Sequence, residues 1–302
     1  MHYLKFLVAR HPYRTGLMSG WLVLIALQPN LINLIASYAG FLLLGVVGAV
    51  FANATGAGGG VVFVPFFNQL NFSPESVVAT SFAIQCCGMT AGAVTWHRYY
   101  RHHTERATAW RALPGGLMLT IPASLCGIWA AQYGGHLAPS LAFLKGNLNA
   151  LHLGFGVFSI ILALAIFASI PLLRKTAFVS RFTQADVLVL PFVAFIGGTV
   201  TAWLSVGVGE LVAVYLIMRG FSVTMSIALA VILSAASVWG AIAYHMTISQ
   251  AIVWEVVMFA GAGAVIGGIL AKRVVLAFSP TRLKLFFGAW VLVLGASGLP
   301  VF

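Results

Sequence analysis

Two glycine-broken apolar stretches, Gly56-Ala57-Gly58-Gly59-Gly60 and Ser205-Val206-Gly207-Val208-Gly209, stand 149 positions apart in a chain of 302 residues, and each opens onto a short apolar run. That spacing is nearly half the chain. Paired interruptions at corresponding places in two halves are the sequence sign of a duplicated membrane unit whose binding site lies where the breaks meet. The pattern predicts a carrier.

Composition supports the membrane part of that reading. Apolar residues make up 61% of the chain and charged residues only 7%, with a mean hydropathy of +1.02. Soluble domains carry about a quarter charged residues, so most of this surface faces lipid. The net charge of +11 comes without a basic helix or RNA-binding signature, which argues against nucleic acid. Its cations fall between apolar runs, where they act as topology signals. Cys86, Cys87 and Cys126 lie in apolar segments and form no disulfide framework, so they read as buried thiols.

Apolar runs occupy residues 16–29, 31–54, 59–71, 74–96, 113–133, 148–173, 186–204, 209–219, 222–243, 250–271 and 281–300. A helix rises 1.5 Å per residue and needs about 20 residues to cross. The runs 59–71 and 209–219 are too short to span unaided. Both follow a glycine loop and are expected to be broken or re-entrant helices lining a protein-walled cavity, because lipid cannot satisfy their freed backbone groups. With a cytoplasmic N-terminus and every run crossing in turn, 15 of the 16 lysines and arginines fall inside and only Lys145 falls outside. The same order starts segment 31–54 outside and segment 186–204 inside, so the halves run in opposite senses. The expected fold is all-α and polytopic: residues 1–30 form an N-terminal segment and extra helix, 31–173 a first five-segment inverted repeat, and 186–302 a second. A signal-peptide core at 16–29 is disfavoured because no small-residue cleavage site follows.

Sliding the chain by 149 residues matches Gly48 with Gly197, Gly58 with Gly207, Gly60 with Gly209, Phe72 with Phe221, Ser73 with Ser222 and Ala79 with Ala228. Ser81, Gln85, Gly88, Gly92 and Thr95 form a small and polar stripe at helical spacing, and Ala230, Ser234, Ser237, Ala241 and Tyr244 form its partner. Gly88, Gly92, Ala230 and Ala241 fit close helix packing. Ser73-Pro74-Glu75 reads as an N-cap, an N1 proline and an acidic first turn, with Ser222 capping the partner helix.

The run Gly56-Ala-Gly-Gly-Gly60, followed by Pro65 and then Ala79-Thr80-Ser81, resembles the sulfite exporter TauE/SafE family, also called the toluene-sulfonate uptake permeases. The second half departs from the motif: Val208 replaces the middle glycine, Val214 stands where the proline would, and Leu229-Ala230 replaces Thr-Ser, so equal roles for the halves are not expected. The resemblance implies movement of sulfite, an organosulfonate or a related small anion across the bacterial inner membrane.

The residues suit that task. Helix N-termini carry a partial positive charge of about half a unit and unpaired N–H donors, and glycine lets the backbone come close. Gly58, Gly59, Gly60, Thr80, Ser81 and Gln85 are candidate substrate contacts from the first half, with Asn53 and Thr55 as nearby lining. Gly207, Gly209 and Ser234 are the candidates from the second. No lysine or arginine is expected within a membrane segment. Glu210 directly follows Gly209. An ionisable group there costs roughly 2.5–3.5 kcal/mol on insertion scales, so it reads either as a proton-coupling residue or as a helix cap in a wet vestibule. His97, His102 and His103 lie among arginines, as in a basic loop, while His152, His245 and Glu255 fall in or beside apolar runs. Trp96, Trp110, Tyr99 and Tyr100 are expected in an interfacial belt. The expected function is a secondary transporter of a small sulfur-containing anion, with protons as a candidate partner and no cofactor. A transition-metal transporter using histidines and thiols, a membrane-embedded enzyme and a passive channel are the alternatives.

Overall fold

The computed structural model describes residues 12–104, 107–137, single positions between 153 and 167, and 179–297. Lys5, Arg10, Lys145, His152, Arg174, Lys175 and most of segment 148–173 lie outside the described residues. The described part is helical: α1 (Pro12–Ala26), α2 (Leu31–Tyr38), α3 (Gly40–Thr55), α4 (Gly60–Gln69), α5 (Pro74–Tyr99), α6 (Ala112–Leu137), α7 (Gln184–Leu204), α8 (Val208–Met218), α9 (Val223–Tyr244), α10 (Trp254–Ala277) and α11 (Pro280–Ser297). Among the described residues, five helical stretches are long and apolar enough to cross a membrane: Pro74–His102, Thr108–Gly135, Gln184–Leu204, Val223–Ser249 and Trp254–Ala277. The chain is a multi-pass membrane protein.

Local chemistry sets many of the boundaries. Ser73 accepts from the Ser76 N–H ahead of a proline in the first turn of α5. Thr183 and Asp186 form a reciprocal capping box at the start of α7. Ser222 occupies the N-cap of α9, but its side chain makes no capping bond; instead its carbonyl accepts from Ser226 Oγ at 2.9 Å. The chain turns by 117° between Met18–Ala26 and Leu31–Tyr38, through Asn30 at φ 59°. Trp21 Nε1 donates to the Met258 carbonyl at 2.7 Å and ties α1 to α10.

Two expectations are corrected. The helix expected at 250–271 runs on to Ala277, so Lys272 and Arg273 are helical residues near its end, with the Lys272 ammonium over the Tyr99 ring at 5.3 Å. Trp96 and Trp110 do not form a lipid-facing belt. Both are buried and pack on each other and on Tyr99, because the basic loop folds the start of α6 back over the end of α5.

Eight described residues have a positive φ, and six of them pair at the 149-residue offset: Gly56 with Ser205, Gly58 with Gly207, and Asn71 with Gly220. Packing repeats in the same order. Helix α3 lies along α10 as α7 lies along α6, α5 packs on α10 as α9 packs on α6, and α5 and α9 pack on each other at the centre.

The ends of the two short hairpins differ. Asp186, fully buried at the start of α7, accepts from Arg219 Nε at 2.7 Å and from Tyr215 OH at 2.6 Å at the end of α8. The offset positions in the first half are Ser37, Leu70 and Phe66. There, Tyr38, Phe41, Phe66, Phe67 and Phe72 close the hairpin by ring contacts. Removing Arg219 strands a buried carboxylate. Arg219→Leu is expected to cost about 3 kcal/mol, the low end for breaking a buried pair, because the arginine side chain is 43% exposed. Thermal unfolding in detergent checks this, with Asp186→Asn/Arg219→Leu expected to recover part of the loss.

Candidate functional site

The two breaks meet between α5 and α9. Helix α3 ends on Gly56 at φ 78° and α7 ends on Ser205 at φ 59°, both left-handed. Glycine adopts this conformation without a side-chain clash, whereas serine pays for it. The strand of chain after each cap turns at once into a short helix, α4 or α8. A Cβ on Gly60 would run into the Ser205 carbonyl, and one on Gly209 into the Gly56 carbonyl and Ser234 Oγ. The two backbones therefore touch, and only glycine permits it.

Each break is held by a side chain from the opposite half. Gln85, on α5, donates from Nε2 to Ser205 Oγ at 2.7 Å, to the Ser205 carbonyl at 3.1 Å and to Ser81 Oγ at 3.1 Å. Its Oε1 accepts the Gly59 N–H at 2.8 Å. Ser205 Oγ donates to Ser81 Oγ at 3.1 Å. On α9, Ser234, the offset partner of Gln85, donates to the Gly56 carbonyl at 3.3 Å. Helix geometry leaves the first N–H groups of α4 and α8 without partners in their own helices. Gln85 takes one such group at the first break, and Thr201 Oγ1 takes the Val208 N–H at 2.8 Å at the second.

Ala57, Gly58, Gln85, Ser205, Gly207 and Ser234 are among the residues lining a cavity of about 10 Å³ at the crossing, room for about one water. The crossing is thus closed around its polar groups. The expected residues divide clearly. Gly58, Gly59, Gly60, Ser81, Gln85, Gly207, Gly209 and Ser234 gather here. Asn53, Thr55 and Thr80 are turned to other contacts. Asn53 Nδ2 donates to the Ala49 carbonyl at 2.8 Å and the Gly88 carbonyl at 3.4 Å. Thr55 donates to the Phe51 carbonyl at 2.9 Å and accepts the Ala57 N–H at 3.3 Å, capping α3. Thr80 Oγ1 accepts the Val253 N–H at 3.0 Å and fixes the start of α10. Asn53 and Thr80 thus join helices and Thr55 caps its own, while Asn53 Oδ1 has no partner among the described residues.

Glu210 lies in the first turn of α8, fully buried. It is not among the residues that line the crossing cavity. One carboxylate oxygen is 3.5 Å from Ser159 Oγ and the other has no partner among the described residues. Thr201, Ser205 and Ser159 are polar groups of this region that were not among the expected site residues. His245, just beyond the apolar run that forms α9, meets the Gln132 amide of α6 at 3.4 Å. Among the described residues no three His, Cys, Asp or Glu side chains gather to hold a metal ion.

A model of the family described as Sulfite exporter TauE/SafE matches residues 41–298, nearly the whole chain. The chain belongs to this family. Its members are membrane transporters, which makes this chain a membrane transporter of the sulfite-exporter type and not an enzyme. No curated protein and no solved structure matches it.

The bonds of Gln85 set a direct test of the crossing. Gln85→Leu removes the bonds to the Gly59 N–H and the Ser205 carbonyl, at about 1–3 kcal/mol each, while Ser205 Oγ keeps its bond to Ser81. Thermal unfolding in detergent is expected to show a loss of that order. Thr95→Val, which removes one hydroxyl bonded only within its own helix, is expected to change little.

Proposed function

We propose that the chain carries a small sulfur-containing anion (sulfite, thiosulfate or an organosulfonate) across the cell inner membrane by alternating access, with its N-terminus cytoplasmic. The observation that carries this reading is the crossing itself. Two short helices begin there, so two N-terminal turns bring N–H donors and partial positive charge to one place. The described residues gathered at the crossing include no lysine or arginine, so an anion would be bound there by backbone donors, hydroxyls and an amide, which favours release as well as binding. Gly58, Gly59, Gly60, Ser81, Gln85, Gly207, Gly209 and Ser234 form this site in our reading, joined by Ser205 and Thr201. A cavity of about 10 Å³ is too small for such a solute. Loading therefore requires the halves to move apart at the contacts that Gln85 and Ser234 make.

The matched positive-φ pairs and the repeated packing order support two structurally equivalent halves. The distribution of cations supports their inverted sense. In alternating access the two hairpins would then open in turn around the shared crossing.

Glu210 is proposed as the coupling residue. Among the described residues no cation pairs with Glu210; burying a carboxylate ionised without one is costly, so its charged and neutral forms belong to different conformations of the carrier. Its place in the first turn of α8 links its proton to the position of the second break. Uptake into liposomes tests both statements. Sulfite, thiosulfate and methanesulfonate are expected to drive counterflow and carboxylates are not, and a pH gradient is expected to accelerate uptake. Glu210→Gln should abolish the effect of the gradient while preserving exchange. Absence of substrate-driven counterflow would contradict a carrier, and unchanged gradient dependence in the variant would remove Glu210 from the mechanism.

A further inference from the structure

A second cavity, of about 390 Å³, opens beside the crossing. It lies among the N-terminus of α5, the last turns of α6 and α7, and the π-helical turn His245–Ser249 that ends α9. Its walls hold a concentration of unmet hydrogen-bonding groups. Eight buried side-chain polar atoms among the described residues have no partner, and four of them belong to residues lining this one cavity: Gln132 Oε1, Trp203 Nε1, His245 Nδ1 and Ser249 Oγ. Protein interiors pair nearly all such atoms, so their gathering in one wall marks a surface that something else completes.

Hydrogen-bond logic fixes what these groups offer. The Gln132 Nε2 group donates to the Ala241 carbonyl at 3.2 Å and faces His245 Nε2 at 3.4 Å. With Gln132 as donor, Nε2 of the neutral imidazole is the acceptor and its proton is on Nδ1. The ring is held between Phe82, stacked at 4.9 Å, and the edge of Tyr244 at 5.4 Å. Trp203 Nε1–H can only donate, and the Ser249 hydroxyl can donate. The cavity wall thus carries three neutral donors in need of an acceptor-rich ligand. These atoms are covered in this structure, so a ligand could reach them only if the lining side chains turned.

Charge narrows the class. Among the described residues no lysine or arginine lines the cavity, Glu75 stands on its rim, and Gln132 Oε1 is itself an acceptor. Repulsion from the Glu75 carboxylate grows with the charge of the ligand, so a doubly charged anion is disfavoured more than a singly charged one. We propose that this vestibule is a second holding site, distinct from the crossing, for a singly charged oxyanion. The proposal rests on the reading of the chain as an oxyanion carrier and adds a station and a charge preference to it. Val78 and Ala202 line the vestibule and Val238 lines the crossing cavity. With Phe82 they pack as one apolar cluster, the wall an anion would have to pass between the two stations.

Equilibrium binding to the purified protein in lipid nanodiscs tests this, with methanesulfonate as the singly charged probe and sulfate as the doubly charged one. Two methanesulfonate sites per chain are expected. Trp203→Phe and Ser249→Ala should each weaken one of them about tenfold, the effect of one lost hydrogen bond to an anion, while Gln85→Leu weakens the other. Glu75→Gln, an exposed change at the rim that spares the fold, should reduce the preference for methanesulfonate over sulfate about tenfold. Affinities unchanged in Trp203→Phe and Ser249→Ala, or an unchanged preference in Glu75→Gln, would overturn the vestibule site and leave the crossing standing. Binding lost in Trp203→Phe but unaffected by Gln85→Leu would sustain the vestibule and sink the crossing.

Discussion

Inside a bilayer a backbone N–H or C=O has no water to turn to, and each one left unpaired costs several kcal/mol. A helix can stop halfway only where protein supplies what the missing turn would have supplied. This chain stops two helices and lets each half supply the other. Gln85 reaches from the first half to Ser205 in the second, and Ser234 reaches from the second to Gly56 in the first. Neither break is tenable alone, which binds the halves into one structure and puts their least stable backbone at their common centre.

In the carrier we propose, the same arrangement lets a tight contact also be a place of movement. The crossing is held by a few polar contacts between the halves together with close backbone approach, whereas the long seams between α3 and α10 and between α6 and α7 are extensive and apolar. Polar contacts that a solute can replace are the ones able to open without leaving groups unpaired. The hairpin ends are unequal in this respect. An ion pair and a tyrosine hold α7 to α8, while aromatic side chains close the first hairpin. The two hairpins are therefore closed by different chemistry, in line with the departure of the second half's sequence from the glycine and Thr-Ser pattern of the first.

Much of the fold was legible because its signals are local. Glycine, proline and capping residues marked where α4, α5 and α8 begin, and short apolar length marked the two half-helices. The crossing was partly legible, since Gly58, Ser81, Gln85 and Ser234 stand at corresponding places in the two halves. What the sequence could not show is which atom each polar side chain meets. Thr80 looked like a site residue beside Ser81, but it points from the same helix toward Val253. Thr201 lies in an apolar run and pairs at the 149-residue offset with Ala52, so nothing in the pattern singles it out. Its role depends on the left-handed turn at Ser205 bringing the Val208 N–H back to it. Trp96 and Trp110 read as interfacial by their neighbours in sequence, and only packing shows them buried.

The central claim is that the two interruptions touch in the middle of the protein. Ala57 and Val206, one from each break, pack in the same apolar cluster. Pairing Ala57→Cys with Val206→Cys, in a background where Cys86, Cys87 and Cys126 are replaced, places two thiols at that contact. Mild oxidation in membranes is expected to join residues 57 and 206 within one chain, detected by mass spectrometry of the digested protein, and to join them less efficiently when a transported anion is present. Failure to form the link under conditions that oxidise a control pair across the seam between α3 and α10 would contradict the crossing and the account built on it.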